Sequence, residues 1–509
     1  MENKTIQQNI NRIVLKTCDN FRGVIDSSKY KDYVLTMLFL KYVSDVYKFK
    51  YGEYLTFYNG DKEQAARAMT CERFNVPEES SFDYLYEHRN DNNIGELINI
   101  ALAGLEKANH EKMSNEGGCG IFCNIDFNSN NLGDSKYKNA RLRNLLISFS
   151  DETLNLDMSR LEDSGIIGDV YMYLISTFAS DAGKKAGNFF TPAEISSLLA
   201  KLTKSNPGAK ICDPTCGSGS LLIKAGQEVG CNNFSLYGQE LNGSNWVLAK
   251  MNMFLHGFDD ATVRWGDTLR NPKLLEGDKL MKFDTVVANP PFSLNKWGAK
   301  EAEYDQFNRF WRGVPPKSKG DWAFISHMIE IAYEDKGKVG VVVPHGVLFR
   351  GAIEGKIRQK TIEDNLLEAV IDLPVNLFFG TGIPSAIVLF NKGKKTDNVL
   401  FIDASKEFDS DKNQNKLRIE DINHIVDTYY RFAGGGFNSG VVEDKYAYIA
   451  TPKEIKENDY NLNIPHYVNS FEEEDKIDIQ AVQQEIDNLE KELTEVQAKM
   501  KEYLKEFRI

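Results

Sequence analysis

The sequence predicts an α/β protein whose mostly parallel β-sheet is preceded by an α-helical region and followed by a long amphipathic helix. Residues 1–160 carry apolar side chains at helical spacing and contain few β-branched runs. Between about residues 185 and 405, β-type runs alternate with helical segments. This alternation is typical of a parallel sheet with helices on both faces. Beyond residue 480, apolar residues recur at a strict four-three spacing.

Length and charge bound the class of protein. The chain has 509 residues and a net charge of −13, and 42% of its residues are hydrophobic. A chain of this length is too long to fold around one ordinary hydrophobic core, so two or three domains are expected. It has no signal-peptide-like N-terminus and no apolar run near the roughly 20 residues of a membrane helix, so we expect a cytoplasmic protein without a membrane partner. The negative charge argues against nonspecific coating of nucleic acid, but it allows a DNA enzyme with local basic groups.

Seven segments have the composition of β-strands and define the central domain. We place this α/β domain at residues 161–440, between a helical N-terminal domain at 1–160 and a C-terminal helical tail at 441–509. The strands are AKICD (209–213), FSLYGQE (234–240), ATVRWGD (261–267), FDTVVA (283–288), GKVGVVVP (337–344), LLEAVIDLP (366–374) and SAIVLF (385–390).

The heptad seam of the tail predicts a contact with another helix, because one helix cannot bury such a seam alone. We favour a coiled coil or bundle with a partner chain, and packing on the rest of this chain is the alternative. The seam consists of Val482, Ile486, Leu489, Leu493, Val496, Met500, Tyr503 and Phe507.

The seven cysteines are scattered and do not predict a disulfide framework, which favours a reducing compartment. Cys119 and Cys123 have no matching His/Cys pair nearby, so we interpret them as small buried thiols and predict no metal site. Cys212 and Cys216 receive the same interpretation.

A glycine-containing loop joins the first predicted strand to the next helix. It reads DPTCGSG, from Asp213 to Gly219. Glycines allow the backbone to approach a ligand closely, and a helix N-terminus favours a negatively charged group. The spacing is not the G-x-G-x-x-G of nicotinamide-binding loops. Asp213 is instead suited to hold an ammonium group, such as the amine of a methionine moiety.

Two further acids follow the next two strands. Glu240 ends the second predicted strand, where a carboxylate is placed to accept hydrogen bonds from ribose hydroxyls. Asp267 ends the third, where it can accept from the exocyclic amine of adenine. Since the carboxyl ends of parallel strands face one crevice, we expect the three acids to lie along the same edge.

The sequence Asn289-Pro290-Pro291-Phe292 follows the fourth predicted strand. Prolines make this turn stiff, and Pro291 has no N–H to donate. Asn289 Oδ1 and the Pro290 carbonyl can both accept from one planar NH₂ group. Two acceptors favour a pyramidal nitrogen whose lone pair points at an electrophilic methyl, while Phe292 offers a face for stacking.

DPTCGSG (213–219) and NPPF (289–292) resemble the cofactor and catalytic motifs of amino-methyltransferases. FRGVIDSSKYKDYVLTMLFLKYVSD (21–45), AGKKAGNFFTPAEI (182–195) and GTGIPSAIVLFNKG (380–393) extend the likeness. Together they resemble the modification subunit of type I restriction-modification systems, usually called HsdM, over nearly the whole chain. The resemblance implies a class I, Rossmann-like domain with a seven-stranded sheet and methylation of adenine N6 in DNA. Ser218 and Ser220 stand where the family often has Thr and Gly.

The resemblance also implies residue roles and partners. S-adenosylmethionine would be held by Phe190, Thr191, Pro192, Asp213, Gly217, Ser218, Gly219, Glu240 and Asp267. The target-base site would consist of Asn289, Pro290, Pro291 and Phe292. A separate specificity subunit would read double-stranded DNA, with a second copy of this chain and, in some systems, a restriction subunit in the complex. Such systems are bacterial or archaeal.

Basic residues after the NPPF turn are candidates for contacts with the DNA backbone, and a solvated loop is the alternative. They are Lys296, Lys300, Arg309, Arg312, Lys317 and Lys319.

Three other functions fit parts of the sequence. NPPF or NPPY also serves methylation of an RNA guanine amine or a protein glutamine amide. A non-catalytic assembly module is disfavoured by the intact motifs. A nicotinamide-dependent oxidoreductase is disfavoured by the loop spacing.

Overall fold

The computed structural model describes all residues except 1, 22–26, 115–117, 119, 152–153, 155, 157–164, 183–189, 379–380, 411–413, 436–438, 470–478 and 507–509. The chain divides into two compact units, Met1–Val468 and Asn469–Ile509. The predicted boundary at residues 160/161 lies outside the described residues.

The first part of the larger unit is helical, as the sequence predicts. Its helices are α1 (Glu2–Cys18), α2 (Ser27–Phe57), α3 (Lys62–Met69), α4 (Phe82–Glu87), α5 (Ile94–Ala108), α6 (His110–Met113), α7 (Ser135–Phe149) and α8 (Gly165–Ala182). Helix α2 is at the centre, and α1, α3, α7 and α8 pack around it. Leu35, Met37 and Leu38 are fully buried, because neighbours on several sides cover a helix that is apolar around much of its circumference.

An α/β part follows, and strands alternate with helices along most of it. Its first half contains α9 (Ala193–Leu202), β1 (Ala209–Asp213), α10 (Ser220–Gln227), β2 (Phe234–Glu240), α11 (Gly243–Leu255), β3 (Thr262–Trp265), β4 (Leu275–Glu276), β5 (Lys279–Leu280) and β6 (Thr285–Ala288). Its second half contains α12 (Ala299–Ala302), α13 (Asp321–Ile331), β7 (Lys338–Pro344), α14 (Gly346–Phe349), α15 (Ala352–Glu363), β8 (Leu367–Asp372), β9 (Ser385–Asn391), β10 (Val399–Asp403), α16 (Ile419–Ala433), β11 (Gly440–Glu443), β12 (Ala447–Ala450) and α17 (Pro452–Glu457).

The main sheet has ten strands in the order β11-β12-β10-β8-β9-β7-β6-β1-β2-β3. From β3 to β7, all neighbouring strands are parallel. Strand β9 runs antiparallel between β7 and β8. The seven strands from β3 to β8 therefore form the predicted Rossmann-like sheet. Strands β10, β12 and β11 extend it, and β4 pairs with β5 in a separate hairpin.

Alternating side chains of the central strands enter two different cores. Ile211 and Val287 face the apolar cluster that continues into the helical part. Cys212 and Val286, one residue away in each strand, face the cluster on the other side. This period of two is the geometry of a strand buried on both faces.

The helical part is fastened to helix α11 of the α/β part by Arg73. The guanidinium donates to Asp259 Oδ2 at 2.5 Å and also to the carbonyl oxygen of Phe254, at the end of that helix. The ring of Phe254 packs edge-on against Phe74, with centroids 5.7 Å apart. The two parts consequently form one compact unit.

The predicted tail begins later than residue 441. Strand β12 pairs with β10 and β11 pairs with β12, so residues 440–450 extend the sheet because their backbone groups complete its edge. The second unit contains helix α18 (Ile479–Glu506). Five seam residues on it have exposed fractions of 44–60%. They are Ile486, Leu489, Leu493, Val496 and Met500. The side chains of Val482, Tyr503 and Phe507 lie outside the described residues.

The cysteines follow the prediction only in part. Cys212 and Cys216 are free and buried, as predicted, and burial raises the pKa of both thiols. Cys123 is disulfide-bonded, which corrects the expectation of a thiol there; Cys119 lies outside the described residues. In the part of the chain that the structure describes, no helix is both long and apolar enough to cross a membrane.

Candidate active site

The candidate site lies at the carboxyl ends of the adjacent strands β6, β1, β2 and β3. Parallel pairing aligns Asp213 of β1 with Gly238 of β2, and Glu240 of β2 with Trp265 of β3. The loops that leave these strands are therefore neighbours along one edge. Asp213, Glu240, Asp267 and Asn289 all fall at this edge, as the sequence predicts.

The loop after β1 is held by two glycines with left-handed backbone. Gly217 has φ +55° and Gly219 has φ +78°. A Cβ at Gly219 would lie 2.8 Å from Cε of the buried Met253 side chain on α11. Asn252 of α11 donates from Nδ2 to the carbonyl oxygen of Ser218 at 2.8 Å. The loop therefore lies directly against α11, and its shape requires glycine.

One hydroxyl group in this loop, Ser218 Oγ, is buried without a hydrogen-bond partner among the described residues. Buried polar groups nearly always have a partner, so this atom indicates that a polar ligand belongs here. Together with the two glycines, it fits a bound cofactor with polar groups.

Glu240 supports the glycine loop from the neighbouring strand. Its Oε2 accepts from the backbone N–H of Gly217 at 2.9 Å, and its Oε1 accepts from the N–H of Asn242 at 2.7 Å. Burial raises the pKa of Glu240, while the N–H groups of Asn242 and Gly217 oppose that rise. The carboxylate thus connects the loops after β1 and β2.

Asp213 is a buried carboxyl group whose charge is sensitive to pH near neutrality. Burial raises its pKa to about 7, the N–H of Thr215 opposes the rise, and the nearby Glu240 adds to it. Thr215 N–H donates to Oδ1 at 2.9 Å. A positively charged ligand group would compensate for the buried negative charge.

Asp267 shapes the loop after β3. Its Oδ1 accepts from the backbone N–H groups of Leu269 and Arg270, at 2.9 and 3.0 Å. Thr268 Oγ1 donates to the carbonyl oxygen of Pro214 at 2.5 Å. The loop with Asp267 is therefore connected to the glycine loop.

The side-chain amide of Asn289 has a defined orientation. Its Nδ2 donates to Thr191 Oγ1 at 3.2 Å, although the two residues are 98 positions apart. Among the described residues, neither Asn289 Oδ1 nor the Pro290 carbonyl accepts a hydrogen bond. Phe190 is buried, and Pro192 precedes α9 as its N-cap. The sequence places Thr191 with the cofactor, whereas the structure also brings it to Asn289.

Phe292 has an aromatic neighbour that sequence reasoning missed. The ring of Phe378, in the segment after β8, lies 5.8 Å from that of Phe292 at an angle of 70°. The signal available in the sequence is the aromatic pair Phe378-Phe379 shortly after a strand. Only the strand order gives this pair a connection to the NPPF turn, because it places the carboxyl end of β8 at the same edge of the sheet as that of β6, with β9 and β7 between them.

Two of the six basic residues that are candidates for DNA contacts have a structural role. Arg309 is 2% exposed, pairs with Asp305 at 2.6 Å, and donates to the carbonyl oxygens of Thr268 and Leu269. Arg312 is also buried, between Glu330 and Asp364. Their guanidinium groups hold the segment 305–312 in place and do not face solvent. Lys296, Lys300 and Lys317 are exposed, and Lys319 is half-buried.

The fold and the site define a class of enzyme. A Rossmann-like sheet, a glycine loop with a buried unpaired hydroxyl, and acids at three successive strand ends are the features of a class I methyltransferase that uses S-adenosylmethionine. Among the described residues, no group of three or more His, Cys, Asp or Glu side chains could hold a metal ion.

Comparisons with known proteins identify the family. The family model described as N-6 DNA Methylase matches residues 162–476, and the one described as HsdM N-terminal domain matches residues 10–149. The chain belongs to the N-6 DNA methylase family, and its relatives are methylase subunits of type I restriction enzymes. It is therefore an adenine-specific, S-adenosylmethionine-dependent DNA methyltransferase. The predicted family and fold class are confirmed.

Three relatives illustrate the match. The MpnII methylase subunit of Mycoplasma pneumoniae is 30% identical, over 100% of this chain and 98% of its own length. The HindI methylase subunit of Haemophilus influenzae is 34% identical, over 66% of this chain and 76% of its own. The crystal structure of a type I restriction-modification methyltransferase subunit from Streptococcus thermophilus is 33% identical with a TM-score of 0.80, covering 91% of this chain and 100% of that one.

The glycine loop generates a test. Gly219→Ala is expected to weaken S-adenosylmethionine binding at least about tenfold, because positive φ and the Met253 contact both oppose a Cβ. Gly230→Ala is the matched control, since Gly230 has φ +80° but nothing within 4 Å of its Cβ position. Thermal melting should show a stability loss in both variants, and calorimetry an affinity loss only in Gly219→Ala. Equal affinities would contradict the prediction.

Proposed function

We propose that this chain transfers a methyl group to N6 of an adenine flipped out of double-stranded DNA, and that a separate specificity subunit selects the sequence. The observation that carries the proposal is the orientation of the Asn289 amide. Because Nδ2 is engaged by Thr191, Oδ1 remains as an acceptor beside the Pro290 carbonyl.

The cofactor would be held by the loops after β1, β2 and β3. S-adenosylmethionine supplies an electrophilic methyl group on a sulfonium centre. In this proposal Asp213 accepts from its ammonium group, with Gly217, Ser218 and Gly219 around the methionine part. Glu240 would receive the ribose hydroxyls and Asp267 the adenine amine, while Phe190, Thr191 and Pro192 would line the pocket. Glu240 also holds Gly217, so ribose binding and loop shape would depend on one carboxylate.

The target adenine would be held by the NPPF turn. Asn289 Oδ1 and the Pro290 carbonyl accept its two N6 hydrogens, which reduces conjugation of the nitrogen lone pair with the ring. The lone pair would thereby be directed at the methyl group that S-adenosylmethionine supplies, whose sulfur would keep the electrons of the bond that breaks. The methylated nitrogen loses its extra proton to solvent afterwards. Phe292 provides a stacking face, and its contact with Phe378 fixes the ring from the side.

The base must leave the duplex to reach these groups. Extrusion of a base costs a few kcal/mol of stacking and pairing, which stacking on Phe292 and the two hydrogen bonds would partly offset. Exposed Lys296, Lys300 and Lys317 follow the turn in sequence and are suited to phosphate contacts. Arg309 and Arg312 are not among the proposed phosphate contacts, since both are buried in ion pairs.

The specificity subunit would be bound through helix α18. Five successive apolar residues of its seam are exposed along one side of the helix. An exposed apolar stripe of this kind is typical of a binding surface. The relatives are named as subunits, which fits an enzyme of several chains. In this proposal a second copy of the chain completes the methyltransferase, and a restriction subunit joins where the system includes one.

Removal of either key side chain of the NPPF turn should stop the reaction. Asn289→Ala and Phe292→Ala are expected to lower the methylation rate on the order of 100-fold or more, because each contact acts on the reacting base. Binding of S-adenosylmethionine should stay within about twofold. The assay is transfer of labelled methyl into unmethylated DNA by the complex with its specificity subunit, with RNA and protein as alternative acceptors. Phe57→Ala, at an exposed residue of α2, is the control. Wild-type turnover in Asn289→Ala would contradict the proposal.

Binding of the cofactor should depend on pH through Asp213. The ammonium group requires the ionised carboxylate, and the free protein has a pKa of about 7 there. Affinity should therefore fall by up to about tenfold between pH 8 and pH 6, as the carboxylate takes up a proton. Asp213→Asn should bind more weakly and lose this dependence, whereas Asp278→Asn, at an exposed carboxylate, should behave as wild type. Calorimetry between pH 6 and pH 8 measures the affinity for S-adenosylmethionine. A wild-type affinity that does not change over this range would exclude the proposed role of Asp213.

The seam of α18 should decide assembly. Leu489→Lys with Leu493→Lys is expected to abolish co-elution with the specificity subunit on a sizing column, because both side chains lie on the exposed stripe. Asn488→Lys with Ala498→Lys adds the same charge to other positions of the helix and should leave assembly intact. Cofactor binding should be unchanged in both. Normal assembly of the Leu489/Leu493 variant would refute the proposed surface.

A further inference from the structure

The residue after the NPPF turn has an unfavourable backbone conformation. Ser293 has φ +52°, in the left-handed region that side chains other than glycine rarely adopt. It directly follows Phe292, so its backbone helps determine where the aromatic ring points. A conformation of this kind persists only when neighbouring groups hold it.

Asp321 provides such a group. This residue begins α13, is 3% exposed, and accepts from the backbone N–H of Ser293 with Oδ1 at 2.7 Å. A hydrogen bond to a charged acceptor is stronger than one between neutral groups. Its other oxygen, Oδ2, accepts from Arg350 Nη1 at 2.9 Å. The carboxylate is therefore fixed by one arginine and in turn fixes the turn after Phe292.

Two more contacts hold the same segment to the residues before α13. Lys319 Nζ donates to Ser293 Oγ at 3.1 Å, and the backbone N–H of Gly320 donates to the carbonyl oxygen of Leu294 at 3.0 Å. The contact made by Asp321 differs from these two contacts. Its acceptor is a buried, charged side chain, and its donor is the backbone N–H of the strained residue itself. No sequence motif indicated this link, since the two residues are 28 positions apart.

We propose that Asp321, held by Arg350, is a positioning residue for methyl transfer. By bonding the Ser293 N–H, it keeps the left-handed turn that orients Phe292 beside Asn289 and Pro290. It touches neither the base nor the cofactor and acts on the chemical step through the turn. The inference rests on the proposed role of residues 289–292.

The test compares variants of the full complex by single-turnover methylation, with separate measurements of cofactor and DNA affinity. Asp321→Ala is expected to lower the rate constant at least about tenfold, because a small misplacement of reacting groups has effects of this size. Both affinities should stay within about twofold. Asp321→Asn keeps an acceptor for Ser293 but loses the charge, so its rate should lie between those of Asp321→Ala and wild type.

A second substitution separates positioning from general damage. Glycine adopts positive φ without steric cost, so Ser293→Gly removes the cost of this conformation. Adding Ser293→Gly to Asp321→Ala should therefore raise the rate constant at least about threefold. Glu354→Gln is the matched control, since Glu354 is also buried and also bonds Arg350, at 3.1 Å, but does not contact Ser293. It should methylate within about twofold of wild type.

The outcomes distinguish the two proposals. A wild-type rate in Asp321→Ala, or no gain from Ser293→Gly, would overturn the positioning role. An equal rate loss in Glu354→Gln would do the same, because it would indicate general damage around Arg350. If Asn289→Ala retains activity, the proposed base site itself fails. If Asn289→Ala is inactive while Asp321→Ala is fully active, only the present inference fails.

Discussion

Parallel pairing of β1 with β2 and with β6 is the constraint on which the site depends. It places the ends of these strands side by side, so residues from positions 213, 240 and 289 meet at one edge. Buried apolar faces on both sides fix the register of the strands. A shift by one residue would exchange the two faces of each strand and displace the polar residues at its end.

Hydrogen bonds then connect neighbouring loops. Glu240 accepts from Gly217, Thr268 donates to Pro214, and Asn289 donates to Thr191. The loops after β1, β2 and β3 are thus joined to one another, and the NPPF turn is joined to the segment before α9. Groups positioned before the substrates arrive need little reorganisation during reaction, which is the basis of catalysis by preorganised polar groups.

Burial gives similar side chains different tasks. Asp213 and Glu240 are acids whose pKa values burial raises, so they are suited to partners that compensate charge or donate hydrogen bonds. Arg309 and Arg312 carry the charge expected for DNA contacts, yet each is buried and forms an ion pair with a carboxylate within the protein. The sequence shows the charge of a residue, whereas the fold decides whether that charge meets solvent.

The sequence by itself determined the fold class, the family, the strands of the central sheet and the short motifs at their ends. Such features are local, because composition and turn residues specify a strand and the loop that follows it. The roles given to the site residues remain predictions. The tertiary structure alone decided the three added strands, the contact of Phe378 with Phe292 and the bond from Ser293 to Asp321. Those pairs are distant in sequence, and only packing of the whole sheet brings them within reach of each other.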